Sequence, residues 1–445
     1  MGRIPRLQMR RMFVYLKRAT ASGFAFQKTP AKNPMKNSSR LRVPALLALA
    51  ACLFCAPASR AADAAIPDES KDPDTGARIL HLSKIPNPAA GVIYFTQACT
   101  TPDSRYTLVR YLDAKSGHTA GLMYRYDFKT GELLKLTDLM TKNQVFVPAS
   151  ANLYFTSDND RSIYVTNILD LKTRKVATMP DDLTCTGGLT VNADETLVVG
   201  TGGLVEQHKN EKVLTTPPNH GSAFKDTLER HDTNLLFDAD IKTGKITELH
   251  RIDTWLGHVQ FSPTDPKLLM YCHEGNWAKV DRIWLLRVGD GSQPQLVLKR
   301  TEENEIAGHE FWSSDGTVTW YDHNYRKTKG KQFLEGKNVA TGAITRYPIT
   351  PPFVSIHYTN SPDGKFFVCD GSTNKDNPGA QAMYILVPEN GKLRPIKLCN
   401  MAKNDYKAAE PNPHLTPDQH WVTFTATFTG TPQAYAVEMP KEFWR

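Results

Sequence analysis

The sequence predicts an all-β fold, a seven-bladed β-propeller, and three observations predict it. A turn of the Ser/Thr-Pro-Asp-Gly kind recurs along the chain, each time followed by an alternating strand. A second signature, a strand ending in a hairpin turn rich in Asp, Thr, Asn and Gly, alternates with the first. Nothing from residue 63 onward sustains the apolar period of a long helix.

The first signature reads Thr101-Pro102-Asp103, Asn192-Ala193-Asp194, Ser262-Pro263-Thr264-Asp265, Ser314-Asp315-Gly316, Ser361-Pro362-Asp363-Gly364 and Thr416-Pro417-Asp418. The second reads Asp127-Phe128-Lys129-Thr130-Gly131, Asp170-Leu171-Lys172-Thr173, Asp240-Ile241-Lys242-Thr243-Gly244, Ala340-Thr341-Gly342 and Glu389-Asn390-Gly391. Asp-Gly, Thr-Gly and Asn-Gly supply the positive φ that tight hairpins require. The two signatures alternate at roughly 45–60 residues, so each unit reads strand, turn, strand, loop, strand, turn, strand, the mark of a propeller blade. Seven units fit, with the strand at 79–82 closing the ring against the last. A pair of β-sandwiches is the rival fold, and the regular alternation speaks against it. No Ser-, Gly- and Pro-rich linker divides residues 63–445, which read as one domain.

Residues 1–62 read as a leader. They hold twelve of the chain's 54 Lys and Arg and no Asp or Glu. The basic stretch 36–42 precedes an apolar run at 43–56, and Ser59-Arg60-Ala61 offers small residues at −3 and −1, the pattern of a secretory signal peptide. The run is short for a membrane span. Met35 stands just before this pattern as an alternative start. The expected location is therefore periplasmic or secreted. Leu49-Ala50-Ala51-Cys52 also fits a lipobox, and a lipid on Cys52 is the one route by which this reading reaches a membrane. The formal charge of +8 belongs to the leader: beyond it 42 basic residues face 46 acidic ones, a balance that gives nucleic-acid binding no support. Five cysteines remain there, Cys99, Cys185, Cys272, Cys369 and Cys399, without a CxxC pair, and read as isolated buried thiols rather than a disulfide framework.

Propellers bind ligands at the central channel, where innermost strands converge, so residues just before the Ser-Pro-Asp turns are the ones to inspect. His258, His309, His357 and His414 stand there in four successive units. A lone histidine in such a place is usually a core residue; four in register point to a divalent metal held by neutral imidazoles, with carboxylate or amide oxygens completing the shell. Glu410, Asn412 and His414 alternate and share one face of an extended strand. Trp277, Trp284, Trp312 and Trp320 read as blade core rather than sugar platforms. No motif pairs two carboxylates as glycoside hydrolases do, and there is no Gly-x-Ser-x-Gly elbow. The segment 203–233 reads as an inserted loop over the channel mouth.

Trp255-Leu256-Gly257-His258, Cys272-His273-Glu274-Gly275, His309-Glu310-Phe311-Trp312, His357-Tyr358-Thr359-Asn360, Asp370-Gly371-Ser372 and the stretch from Pro411 to Asp418 follow in an order that resembles the oligogalacturonate lyases, from about residue 250 to 440. The resemblance implies a seven-bladed propeller that binds manganese and cleaves a uronate oligosaccharide by β-elimination. That chemistry needs a base for the weakly acidic C5 proton, and a cation with an arginine to hold the developing enolate-like charge. By motif position His258 resembles the base and His309 a metal ligand. Where the family has Gln and two His near the C-terminus, this chain has Lys407, Glu410 and Asn412, with His414 two places on. Glu410, Asn412, His414 and His357 are therefore the further metal candidates. Lys407 suits a substrate carboxylate, and His273 is a second candidate on the substrate side or in the channel wall. Asn234 occupies the place of the family's arginine, and Arg230 is the nearest guanidinium. The rival from another class is a non-catalytic envelope propeller that binds sugar or protein, which would purify without stoichiometric metal.

Overall fold

In the computed structural model, the turn signatures fold as the corners of antiparallel four-stranded units. In one corner a hydroxyl donates to the Asp two residues on: Thr101 to Asp103 at 2.6 Å, Ser313 to Asp315 at 2.6 Å, Ser361 to Asp363 at 2.7 Å and Thr416 to Asp418 at 2.6 Å. The same carboxylates accept the amides of Arg105, Thr317, Lys365 and His420. In the fifth unit the hydroxyl is thus Ser313's, one residue before the expected Ser314. At the other corner Asp127, Asp240 and Asn338 each accept the amides two and three residues on. Gly131, Gly244 and Gly342 then take φ of 71°, 73° and 72°, the left-handed conformation that closes the turn without a Cβ clash.

The structure describes residues 68–84, 89–113, 120–157, 160–208, 232–275, 277–325, 331–350, 353–371 and 381–445. The leader, Arg230 and most of the expected channel-mouth loop lie outside them. Among the described residues the strands form six sheets, and because the eight-stranded one joins two blades through the Gly121–Thr141 pair, seven blades follow one another. The first blade runs outward from Ala90–Gly91 through Tyr106–Leu112 and Gly121–Asp127 to Leu133–Lys135. The innermost strands of the second to sixth blades are Thr141–Val147, Leu183–Val191, Leu256–Phe261, Glu305–Trp312 and Tyr358–Asn360. The seventh blade starts at His414–Leu415, continues through Trp421–Ala426 and Gln433–Glu438, and is completed by Arg78–His81 from the other end of the chain. Ile79 pairs with Val437 and Leu80 with Ala436, so the ring closes where the sequence reading set it. No helix among the described residues is long and apolar enough to cross a membrane. All five described cysteines are free thiols.

The core lies between blades. Ile79 is buried with Val422, Phe424 and Val437 of its own blade and with Phe366, Met383 and Ile385 of the sixth. Ile79→Ala therefore opens a cavity at the seam, and it is expected to cost about 2–5 kcal/mol, read as a lower urea midpoint.

The innermost strands carry one further feature. In the fourth and fifth blades the register slips between Gly257 and Gln260 and between Gly308 and Phe311. Within these bulges His258 and His309 both have φ of 49°, and Asn412 takes the same value just before the seventh blade. A left-handed non-glycine residue costs about 1–3 kcal/mol and concentrates at functional sites.

Candidate active site

The bulges turn the imidazoles of His258 and His309 toward residues of other blades. A Cβ on Gly257 would stand 2.9 Å from Glu274 Cγ, and one on Gly308 would stand 2.8 Å from the Trp277 ring, so glycine before each histidine allows close approach. The His309 ring meets that of His357 edge-on at 4.9 Å between centroids, and Trp277 at 5.1 Å. Tyr94, in the loop after the first inner strand, lies 5.4 Å from His258 and 5.7 Å from His357. Residues from the first, fourth, fifth and sixth blades thus converge at one place.

Two electrically distinct groups make up this place. Around His258, Nε2 lies 3.1 Å from Glu274 Oε1 and Nδ1 lies 3.1 Å from Glu310 Oε1, the latter contact out of hydrogen-bond alignment. Arg282 donates to both oxygens of Glu274, at 2.6 and 3.3 Å, and lies 3.5 Å from Glu310. Trp277 covers the guanidinium at 4.2 Å. Burial pulls the His258 imidazole down, but Glu310 and Glu274 outweigh it and raise its pKa. Burial pushes both glutamates up, and Arg282 with His258 brings them below the usual carboxylate range. Two carboxylates and a guanidinium therefore surround His258, and the carboxylates favour its protonated form. Cys272, His258 and Glu310 offer ligand atoms within 4.8 Å of one another. Burial keeps the Cys272 thiol protonated, and a metal there would face the Arg282 guanidinium, 3.5 Å from the sulfur. This group is an ion-paired network rather than a cation site.

The second group has the opposite character. His309 donates Nδ1–H to Asp322 Oδ1 at 2.8 Å, and His357 donates Nδ1–H to Asp370 Oδ2 at 2.7 Å. In the neutral form of each ring these bonds leave the lone pair on Nε2. Burial pulls the His357 pKa down, but Asp370 and Glu410 outweigh it and raise it. His357 Nε2 lies 3.9 Å from Glu410 Oε2, and the Glu410 side chain is about half exposed, at 48 %. Asn412 accepts the Phe95 amide through Oδ1 at 3.3 Å, which leaves that oxygen a second lone pair. Two carboxylate-backed imidazoles, one of them 3.9 Å from a half-exposed carboxylate, are donor types suited to manganese, and Asn412 adds an amide oxygen in the segment just after Glu410.

Each residue singled out from sequence can now be placed. His258, His309, His357, Glu410 and Asn412 belong to these two groups. His414 does not: it follows the left-handed residue by two, so Asn412 takes the position equivalent to His309. The His414 ring is buried, Nε2 donates to the Ile93 carbonyl at 2.9 Å, and the ring stands beside Cys99. Burial pushes the Cys99 thiol up, but His414 and the Thr100 and Thr423 hydroxyls bring it down to about 7. His273 faces away as well. It stacks on Trp284 at 4.9 Å, and burial lowers it to about 4, so Glu274 is the member of that motif in the site. Lys407 is exposed three residues before Glu410, with its amide donating to Asp405. Arg230 is outside the described residues. Trp312 and Trp320 are buried core, whereas Trp277 lines the site. Sequence reasoning missed Tyr94, Arg282 and Asp322, and gave Asp370 and Glu310 no role. One signal was present: an Asp follows both His309 and His357 by 13 residues.

The chain is similar to known proteins over most of its length. The oligogalacturonate lyase of Dickeya dadantii (strain 3937) is 27% identical over 402 residues, covering 84% of this chain and 96% of the relative. The oligogalacturonide lyase of Pectobacterium atrosepticum is 26% identical over 395 residues, with the same coverage. Among solved structures, an oligogalacturonate lyase from Vibrio parahaemolyticus superposes with a TM-score of 0.71 at 24% identity, over 84% of this chain and 97% of that one. An oligogalacturonate lyase in complex with manganese gives the same score and identity, over 85% and 97%. The oligogalacturonate lyase family model matches residues 68–443, nearly every position beyond the leader, and the chain belongs to that family.

Proposed function

We propose that this chain is an exported lyase that cleaves short uronate oligosaccharides, oligogalacturonides first among them, by manganese-dependent β-elimination with His258 as the base. The lyase class comes with the family; the substrate, the base and the export are our reading. The observation that carries it is the juxtaposition of His258 with a separate group of metal-type donors, the two linked through Tyr94.

His309, His357, Glu410 and Asn412 would hold the metal. When bound, a divalent cation neutralises the uronate carboxylate and so makes the C5 proton removable. Nε2 of both imidazoles is left unprotonated for this by the Nδ1 bonds to Asp322 and Asp370. His258 would act in its neutral form, and the carboxylates that face both its nitrogens oppose the loss of its second proton. Glu274 and Glu310, held ionised by Arg282, then stabilise the imidazolium that forms when C5 is deprotonated. Trp277 and Tyr94 offer ring faces and edges beside the reacting position. Lys407, exposed and three residues before Glu410, would meet a second uronate carboxylate.

The test is direct. The protein expressed from residue 63 is incubated with oligogalacturonides and Mn²⁺, and ultraviolet absorbance of the 4,5-unsaturated product is followed. We expect product with metal and its loss on chelation. Absence of product from every uronate oligomer, beside a working control lyase, would leave the non-catalytic propeller as the reading. Export is checked separately, by whether the N-terminus of protein recovered from the cell envelope lies near residue 62.

A further inference from the structure

The two imidazoles assigned to the metal are not equivalently held. Asp370 is buried, with its side chain 1 % exposed. Its Oδ1 accepts the Ser355 hydroxyl at 2.6 Å and the His357 amide at 3.3 Å, while Oδ2 alone faces His357 Nδ1, at 2.7 Å. The Ser355 hydroxyl in turn accepts the amides of Asp370 and Gly371, at 3.1 and 3.2 Å. That hydroxyl therefore has its one hydrogen to give, and Oδ1 at 2.6 Å is a nearer acceptor than the His357 carbonyl at 3.2 Å, so the carboxylate cannot exchange its two oxygens without losing these bonds. Asp322 is bonded to His309 through Oδ1, and no such pair of donors occupies its other oxygen among the described contacts.

From this geometry we infer that Asp370 and Asp322 are positioning residues that set the tautomer of His357 and His309, and that Asp370 is the fixed one. Asp370 holds His357 with hydrogen on Nδ1, so that Nε2 faces the Glu410 side, while Asp322 does the same for His309 through a carboxylate free to turn. The inference rests on the proposed metal site and adds the groups that orient it. The chemistry is a proton-placement argument. A neutral imidazole carries one N–H, and an acceptor-only carboxylate on Nδ1 places that hydrogen there. Partners of this kind strengthen the ligand and fix its ring.

The asymmetry yields opposite outcomes for one chemical change. In Asp370→Asn the amide oxygen must take the place of Oδ1, where Ser355 and the His357 amide donate. The amide nitrogen then falls against Nδ1 and donates to it, which moves the ring hydrogen to Nε2 and blocks that atom. In Asp322→Asn the amide can turn its oxygen to Nδ1 and keep the tautomer. We expect Mn²⁺ affinity, measured by electron paramagnetic resonance of free Mn²⁺, to fall by about 10–100-fold in Asp370→Asn. The loss in Asp322→Asn should be several-fold smaller. Long-range ¹H–¹⁵N correlation on histidine-labelled protein should show the His357 hydrogen on Nε2 in Asp370→Asn and on Nδ1 in the other.

Wild-type protein loaded with diamagnetic Zn²⁺ gives a reading that depends on no variant: both rings should show Nδ1–H and a metal-bound Nε2. Metal bound through Nδ1, or equal affinities in wild type and Asp370→Asn, would overturn the inference. Failure of the wild type to bind Mn²⁺ at all would instead strike the proposed site on which it rests.

Discussion

Replacing His258 by alanine is expected to lower kcat on oligogalacturonides by about 10²–10⁴-fold, the usual contribution of a positioned general base. Metal affinity should change little, because the His309 and His357 group is held by its own carboxylates. A folded His258→Ala protein with wild-type kcat would remove the imidazole from the mechanism. The pH dependence sharpens this prediction. The base must be neutral, and Glu310 and Glu274 raise the His258 pKa above the ordinary imidazole value despite burial. Activity is therefore expected to rise with pH through a limb lying above that value. Both glutamates are shifted down, away from neutrality, so neither of them supplies the limb. Glu310→Gln removes one of the two charges that hold the proton, and the limb should move to lower pH. A limb that stays in place, or moves up, means that some other group is titrating.

The largest stability effect is expected at Arg282. Its side chain is 1 % exposed and stands between Glu274 and Glu310, which are 5 % and 0 % exposed. Arg282→Met removes the guanidinium and leaves two buried carboxylates with one imidazolium. Breaking a buried pair by deleting one partner costs about 3–5 kcal/mol, because the orphaned charge cannot be rehydrated. That is a large part of the roughly 5–15 kcal/mol by which domains are stable. Arg105 supplies the internal control. It pairs with Asp127 at 3.0 Å but is 43 % exposed, so Arg105→Met should leave the urea midpoint almost unchanged. Urea denaturation of the two variants side by side decides the matter, and equal losses would mean that the Arg282 network contributes no more than a surface ion pair.

The architecture was legible in the sequence to an unusual degree, because it is written in local chemistry. Thr101, Ser361 and Thr416 bond a carboxylate two residues away, and Asp127, Asp240 and Asn338 bond amides two and three residues away. Such turns need no distant partner, so their order along the chain reports the blades and their number. The closing strand was legible as well, since a ring of seven needs an outer strand and the turn count left one over at the N-terminal end. His258, His309 and His357 could be picked out because the same turns place them four residues ahead of Ser262, Ser313 and Ser361.

The site itself was decided by contacts between blades. His414 and Asn412 differ by two residues, which on a regular strand keeps both on one face. The left-handed turn at Asn412 ends that equivalence and sends His414 to the Ile93 carbonyl instead. His273 and Glu274 are neighbours in sequence, yet one stacks on Trp284 and the other holds His258 and Arg282. Arg282 sits in no recognisable motif, and its burial between two glutamates from different strands exists only after the fourth and fifth blades have met. From the sequence alone came the all-β propeller, its seven units and three of the histidines that meet at the candidate site, because turns and alternation are short-range. Which side chains share one proton, one metal or one charge depended on the bulges and on packing across blades, and these long-range placements became visible only in the tertiary structure.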